Sequence, residues 1–297
     1  MKILITGASG YVGSNLTRAL IKKGFNVDII VRSSSNLDLL VDLLEDIKIF
    51  IHDGLAETMV NILSKSKPDL VCHLAGISSY DHKLDDIEEL IKSNILFGNQ
   101  LVEGMIRNNI FKLINTGTYW QHYKNHEYNP TCLYAATKQA YQDIIKFYVE
   151  SSNLNVINLK LFDNYGPNDN RNKLFNFINK SIENNNLINM SPGYQIIDIV
   201  YISDLIDAYL ISINKLIGGE LNGYNDFLLS TENRINLKNL VNKFLKITNQ
   251  KADINWGGRK YRKREVMIPV VGDKKLTGWN PKISIDNGIK LMIKNDK

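Results

Sequence analysis

The 297-residue chain is expected to fold as an α/β protein: a doubly wound parallel sheet with a smaller C-terminal lobe. Three observations lead there. Through the first half, short apolar runs rich in β-branched residues alternate with longer amphipathic ones. A glycine turn, "ITGASGYVG", joins the first strand-like run to the first helical one. After Gly166-Pro167 the alternation loosens into loops and mixed elements.

The strand-like runs are 2–6, 26–31, 47–51, 69–75, 111–115 and 155–162. They are continuous rather than alternating, as strands covered on both faces must be. Helical periodicity fills 11–23, 36–45, 56–65, 85–108 and 134–152. Alternating β and α elements make a parallel sheet with right-handed crossovers. Beyond "GPNDNRNK" a helix is expected over 173–185, a strand over 196–202 and a helix capped by Ser203. Residues 1–165 form the expected dinucleotide-binding lobe. Residues 166–297 form mainly a substrate-binding lobe, with about 196–213 crossing back.

Composition narrows the function classes. The chain is 44% hydrophobic with a net charge of +5, its basic residues spread along the sequence. No nucleic-acid partner is expected; the densest basic run, "GGRKYRKRE" (257–265), reads as a surface loop or a phosphate site. Two cysteines, Cys72 and Cys132, lack any metal-ligand spacing, so no metal is expected and a reduced cytoplasmic setting is. No apolar run approaches the ~18 residues of a membrane span, so no membrane partner is expected.

Gly7, Gly10 and Gly13 recur every third residue between strand and helix. There glycine permits a tight turn, close approach to a pyrophosphate and close helix–strand packing, while the helix start offers N–H groups to phosphate. The end of the second strand selects the cofactor: a carboxylate there suits the ribose hydroxyls of NAD. This chain has Arg32, Ser33 and Ser34, a cation and hydroxyls that suit the 2′-phosphate of NADP(H), with NAD as the alternative. Asp53 either takes the adenine amine or is an ordinary turn aspartate. In "HLAG" the small residues would let the cofactor lie close, and His73 reads as a packed core histidine.

In order along the chain, "TGASGYVG", "HLAG", "SNILFGNQLVE", "NTGTYW", "YAATK" and "YGP" resemble the extended short-chain dehydrogenase/reductases, NAD-dependent epimerase/dehydratase-like enzymes that act on nucleotide-linked sugars. "DIVYISDLIDAY" and "KLTGWNP" carry the likeness over nearly the whole chain. Its nearest look is to nucleotide-sugar 4-ketoreductases of the CDP-abequose and CDP-paratose synthase kind. The resemblance implies a Rossmann-type fold. It implies a cofactor set of Gly7, Ser9, Gly10, Tyr11, Val12, Gly13, Arg32, Ser33, Asp53, Gly54, Leu74, Ala75, Gly76 and Asn94, together with Tyr134 and Lys138. Tyr134 and Lys138, four apart on one helix face, match the family's YxxxK. Tyr134 would give the proton, its pKa lowered by the Lys138 ammonium. Thr116 would hydrogen-bond the substrate oxygen, with Thr118 as the adjacent candidate.

The family's dehydratases carry an Asp–Glu pair after that Thr; Gly117 and Thr118 stand here, so elimination lacks its acid and base. Epimerases retain NAD, whereas an NADP(H) tip favours net reduction of a ketone. The expected substrate is a nucleotide-diphosphate sugar, a 4-keto-6-deoxysugar of bacterial surface-polysaccharide synthesis such as O-antigen. Its expected contacts are Thr118, Asp163, Asn164, Lys173 and Arg262, with Arg259 and Arg264 as further cations. Asp163 replaces a family Asn, and Ile197 stands where relatives carry Arg. Tyr119, Trp120 and Tyr194 either stack on the ligand or pack. The rival readings are a 4-epimerase with bound NAD and a non-catalytic NADP sensor. A homodimer through the helices at about 85–108 and 134–152 is implied by the same resemblance.

Overall fold

The computed structural model describes residues 1–272 and 274–295; positions 273, 296 and 297 of the expected second lobe lie outside the described residues. The strands are β1 (Lys2–Thr6), β2 (Asn26–Val31), β3 (Ile47–Ile51), β4 (Leu70–His73), β5 (Lys112–Thr118), β6 (Asn155–Leu161), β7 (Asp163–Tyr165), β8 (Ile188–Met190), β9 (Ile196–Ile197), β10 (Ile199–Tyr201), β11 (Tyr224–Leu229), β12 (Ile235–Asn236) and β13 (Ile254–Trp256). The α-helices are α1 (Tyr11–Lys22), α2 (Ala56–Ser66), α3 (Asp86–Ile91), α4 (Phe97–Arg107), α5 (Leu133–Ser151), α6 (Leu174–Glu183), α7 (Ile202–Ile217), α8 (Leu237–Thr248) and α9 (Ile285–Asn295).

Seven strands form one sheet in the order β11-β6-β5-β4-β1-β2-β3. Every neighbouring pair runs parallel. The order reverses between β1 and β4, and the crevice beyond the carboxyl ends there is where such sheets bind ligands. Ile3 and Ile5 of β1 bury with Leu16, Leu20, Ala208 and Tyr209 of α1 and α7. Leu4 between them buries on the opposite face with Met59, Leu63, Leu101, Met105 and Tyr141. Both faces of the strand are therefore apolar, each buried Leu or Ile stabilising the fold by about 1.5–3 kcal/mol.

The sequence expectation missed β11, which joins the sheet beside β6 from well beyond residue 165. Three further departures have local causes. The segment expected as a helix over 36–45 is a 3-10 turn, Asp38–Leu43. Asn36 Oδ1 accepts from the Asp38 N–H at 2.7 Å, which favours a tight turn over a helix start. The strand expected over 196–202 breaks at Asp198. Its carboxylate accepts from Ser230 Oγ at 2.5 Å, Thr231 Oγ1 at 2.8 Å and the Thr231 N–H at 3.1 Å. The halves pair with different partners, β9 with β12 and β10 with β7. Helix α7 starts at Ile202 directly from β10, so Tyr201 rather than Ser203 holds the cap position. The helix expected over 85–108 is α3 and α4 joined by a π turn at Lys92–Leu96. β7–β10, β9–β12 and β8–β13 are three two-stranded sheets of the later chain.

Candidate active site

Two clefts lie near the carboxyl ends of the sheet strands, one lined by Ile77 and the other by its neighbour Ser78. The first, about 630 Å³, is lined by Gly7, Ser9 and Gly10 of the turn, Arg32 and Ser33 at the tip of β2, Asp53 and Gly54 after β3, and Leu74, Ala75 and Gly76 after β4. Gly7 has φ +75°, and a Cβ there would lie 2.6 Å from the Ala75 nitrogen. Only glycine leaves this cradle open. At Gly13 a Cβ would lie 2.0 Å from the Gly7 oxygen, so this glycine packs helix on turn. The first N–H groups of α1 lack intrahelical acceptors, as at any helix start, and are available to phosphate. This donor set, cradle and cleft fit a dinucleotide.

Four expected cofactor residues act from behind the cleft. The Tyr11 side chain is buried and its hydroxyl donates to the Pro167 carbonyl at 3.3 Å. Val12 packs against the core. Gly13 has been described. Asn94, in the π turn, accepts from the Ile77 N–H at 2.8 Å and donates to the Ile77 carbonyl and Thr137 Oγ1 at 2.9 and 3.0 Å. It clamps the loop after β4 onto α5; a π turn at such a position is common at functional sites. Asp53 lines the cleft, but its carboxylate accepts from the Leu55 N–H and Thr58 Oγ1, both at 2.9 Å, which holds the start of α2.

Lys138 is buried, its Nζ 3.1 Å from where a Gly76 Cβ would stand, directly behind the first cleft. Burial pushes its pKa down to about 8. Tyr134 lies one turn earlier on α5, partly exposed, its ring edge-on to Trp120 at 6.1 Å. The phenol pKa is pushed above its ordinary value, by burial first and then by Cys132 and Asp163, against a lowering contribution from its hydrogen-bond partner Thr118. The expected lowering by Lys138 is thus corrected: desolvation of the phenolate sets the direction. At neutral pH Tyr134 holds its proton, the state a donor needs.

Thr118 presents its hydroxyl to Tyr134 while accepting from the Trp120 N–H at 3.3 Å. Thr116 lies deeper, its hydroxyl 2.7 Å from the buried Tyr209 phenol. Thr116 is thus bonded inward, and Thr118 is the threonine beside Tyr134. His73 is fully buried, its Nδ1 2.7 Å from Thr6 Oγ1, and burial lowers its pKa to about 3. It is a neutral core histidine.

The second cleft, about 720 Å³, is lined by Tyr119, Trp120, Asp163, Arg171, Lys173, Ile197, Arg259 and Arg262 among others. Arg262 Nε donates to Asp81 at 2.9 Å, and its guanidinium lies 4.2 Å over the Tyr80 ring. Asp163 accepts from the Tyr119 hydroxyl at 3.1 Å, so its carboxylate is partly occupied. The Asn164 carboxamide oxygen accepts from Arg171 at 2.9 Å, and Asn164 lines an adjoining small cavity of about 160 Å³ that shares Asp163, Lys173 and Ile197 with the second cleft. Arg264 turns away to Asn129 and the Tyr123 ring, and Tyr194 is 70% exposed and outside the cleft lining. Arg171 was missed from sequence. It lies 4.4 Å over the Tyr11 ring and pairs with Asp169 at 2.7 Å, joining the glycine turn to the second cleft. Its one sequence signal is its place in the loop after "YGP".

A parallel sheet with a glycine cradle, and Tyr134 and Lys138 on the helix behind it, fits a dinucleotide-dependent enzyme. The chain belongs to the NAD-dependent epimerase/dehydratase family, whose model matches residues 3–224. It is 29% identical to a CDP-abequose synthase of Salmonella muenchen over 98% of this chain and 97% of that one. It is 30% identical to a CDP-abequose synthase of Yersinia pseudotuberculosis over 91% and 92% of the two chains. Among solved structures, the UDP-glucose 4-epimerase of Thermotoga maritima with UDP-glucose superposes with a TM-score of 0.86 at 22% identity, over 100% of this chain and 98% of that one. The fold and the family are thereby established.

Proposed function

We propose that this chain is an NADPH-dependent reductase of a nucleotide-linked 4-keto-6-deoxysugar, working in bacterial surface-polysaccharide sugar synthesis. The observation that carries this reading is the tip of β2. Arg32, Ser33 and Ser34 line the dinucleotide cleft there. The one carboxylate of that strand, Asp28, is buried and accepts from Ser66 Oγ at 2.7 Å. A cation and hydroxyls favour a 2′-phosphate over bare ribose hydroxyls. The CDP-abequose synthase relatives support a nucleotide-sugar substrate.

Bound dinucleotide supplies a hydride to the carbonyl carbon at position 4. Tyr134 holds the proton for the carbonyl oxygen. Thr118, whose oxygen accepts from the Trp120 N–H, would turn its O–H from the Tyr134 phenol to polarise that carbonyl oxygen. Lys138 would hold the nicotinamide ribose hydroxyls from behind Gly76. Lys173, Arg259 and Arg262 would face the substrate diphosphate. Asp163 would meet sugar hydroxyls, since its charge would repel phosphate.

The test is NADPH consumption against CDP-, dTDP-, GDP- and UDP-linked 4-keto-6-deoxysugars. Turnover with one of them supports the reading; none, together with NAD retained through purification, transfers the assignment to a 4-epimerase. The same reading places the enzyme in the cytoplasm, where reduced dinucleotide is supplied; no helix among the described residues is long and apolar enough to cross a membrane. It also includes a homodimer through α3, α4 and α5, which expose Ile87, Ile91 and Phe147. A monomer by light scattering at working concentration would remove that element.

A further inference from the structure

Beneath the Thr118 turn lies a chain of buried amides that the catalytic set does not use. Gln121 is fully buried and sits at its centre. Its Oε1 accepts from the Thr118 N–H at 3.0 Å. Its Nε2 donates to Gln139 Oε1 at 2.7 Å and Gln142 Oε1 at 2.9 Å. Both partners belong to α5, the helix that carries Tyr134 and Lys138. Gln142 Oε1 also accepts from Asn158 Nδ2 at 3.4 Å, and Asn158 donates to Asp226 at 2.8 Å and accepts from Asn115 at 2.7 Å.

The chain passes directly under Gly117: a Cβ there would lie 3.0 Å from Lys160 Cγ and 3.1 Å from both Asn158 Nδ2 and Gln121 Oε1. Carboxamides buried so deeply are costly unless bonded, and apolar side chains would fill the space without that cost. What bonded amides add is a defined position, because each N–H···O contact fixes both direction and distance. Here the positions fixed are those of the Thr118 turn and of the first turns of α5. The same side chain closes a reciprocal cap, since Thr118 and Gln121 hold each other's backbone N–H groups around the 3-10 turn 119–121.

We infer that Gln121 is a positioning residue that sets the separation of the Thr118 hydroxyl and the Tyr134 phenol by tying the end of β5 to α5. The inference rests on the reductase reading for its kinetic arm and on geometry alone for its second arm.

Gln121→Met keeps volume and removes all three bonds; Gln121→Glu keeps the acceptor for the Thr118 N–H and lets Gln139 and Gln142 turn their NH₂ groups toward it. With whichever panel substrate turns over, Gln121→Met is expected to lower kcat about 30-fold, as loss of alignment does. KM values for NADPH and substrate stay within about twofold, and the primary isotope effect with deuterated NADPH rises as hydride transfer becomes limiting. Gln121→Glu is expected to recover most of kcat. In hydrogen exchange without substrate, amides of 117–121 and 133–139 in Gln121→Met exchange at least tenfold faster, the rest of the chain unchanged. Should Gln121→Met not fold, Gln142→Met is read the same way, with a smaller loss. Near-unmodified kcat in Gln121→Met beside an inactive Tyr134→Phe, or unaltered exchange at 117–121, overturns the role of Gln121 alone. Unchanged turnover in Tyr134→Phe overturns the reading of the site itself.

Discussion

The Thr116 hydroxyl lies 2.7 Å from the phenol of Tyr209 on α7, whereas Thr118, two residues later on the same strand, acts on the Tyr134 phenol and opposes the rise in its pKa. Valine at each position removes the hydroxyl and keeps the shape. Thr118→Val is expected to lower kcat about 10²-fold, as loss of one oxyanion donor does. Thr116→Val leaves a buried phenol unpaired and is expected to destabilise by about 1–3 kcal/mol, with little change in kcat. Steady-state kinetics and thermal melts of the two variants check this; the opposite pattern would give Thr116 the catalytic role.

Tyr134→Phe removes the proton and little else from a site whose other contacts are in place. Its kcat should fall about 10²–10⁴-fold, the usual contribution of a positioned acid, with the affinity for NADPH, read by fluorescence titration, nearly unaltered. A variant that turns over normally would exclude Tyr134 as the donor.

Lys138 ties pH to stability. Its folded pKa is about 8 against 10.5 for the free side chain, because burial disfavours the ammonium. Between those values the unfolded chain binds more protons, so this residue makes stability rise with pH there. At pH 7 the folded chain carries the whole cost of the buried charge, about 3 kcal/mol. Lys138→Met should therefore be the more stable protein at pH 7 and lose that advantage as pH climbs from about 8 to 10.5. Urea unfolding across that range measures it. A constant difference would mean that packing, not the charge, is responsible.

Arg32→Ala should weaken NADPH binding about 10–100-fold, the worth of a charge-assisted contact to phosphate, and leave NADH binding within about twofold. Equal loss for both dinucleotides would place Arg32 outside 2′-phosphate recognition and strengthen the NAD-retaining epimerase alternative.

Much of this arrangement was legible in order of residues. Strands β1 and β2 fall where the continuous apolar runs lie, because a strand covered on both faces has no room for polar alternation, and the apolar run at 47–51 marks the edge strand β3. The turn from Gly7 to Gly13 was equally plain, since its backbone geometry excludes other residues. Strand β11 was not, because its residues "YNDFLL" carry polar groups that the Lys160–Asp226 pair, 2.6 Å apart, and the Asn158 amide at 2.8 Å make acceptable in a sheet. Arg171 was missed for a related reason: a loop arginine looks like any surface charge until the fold sets it over the Tyr11 ring.

By itself the sequence determined the alternating α/β plan, the dinucleotide cradle and the presence of Tyr134 and Lys138 on one helix face, all set by local periodicity and backbone sterics. Only the tertiary structure decided that Thr116 pairs with Tyr209, that Arg171 takes up the Asn164 carboxamide oxygen, and that burial moves the Tyr134 and Lys138 pKa values in opposite directions. Those outcomes depend on which groups are brought together from distant segments and on how much water is left around them, and neither quantity is written in the spacing of residues along a chain.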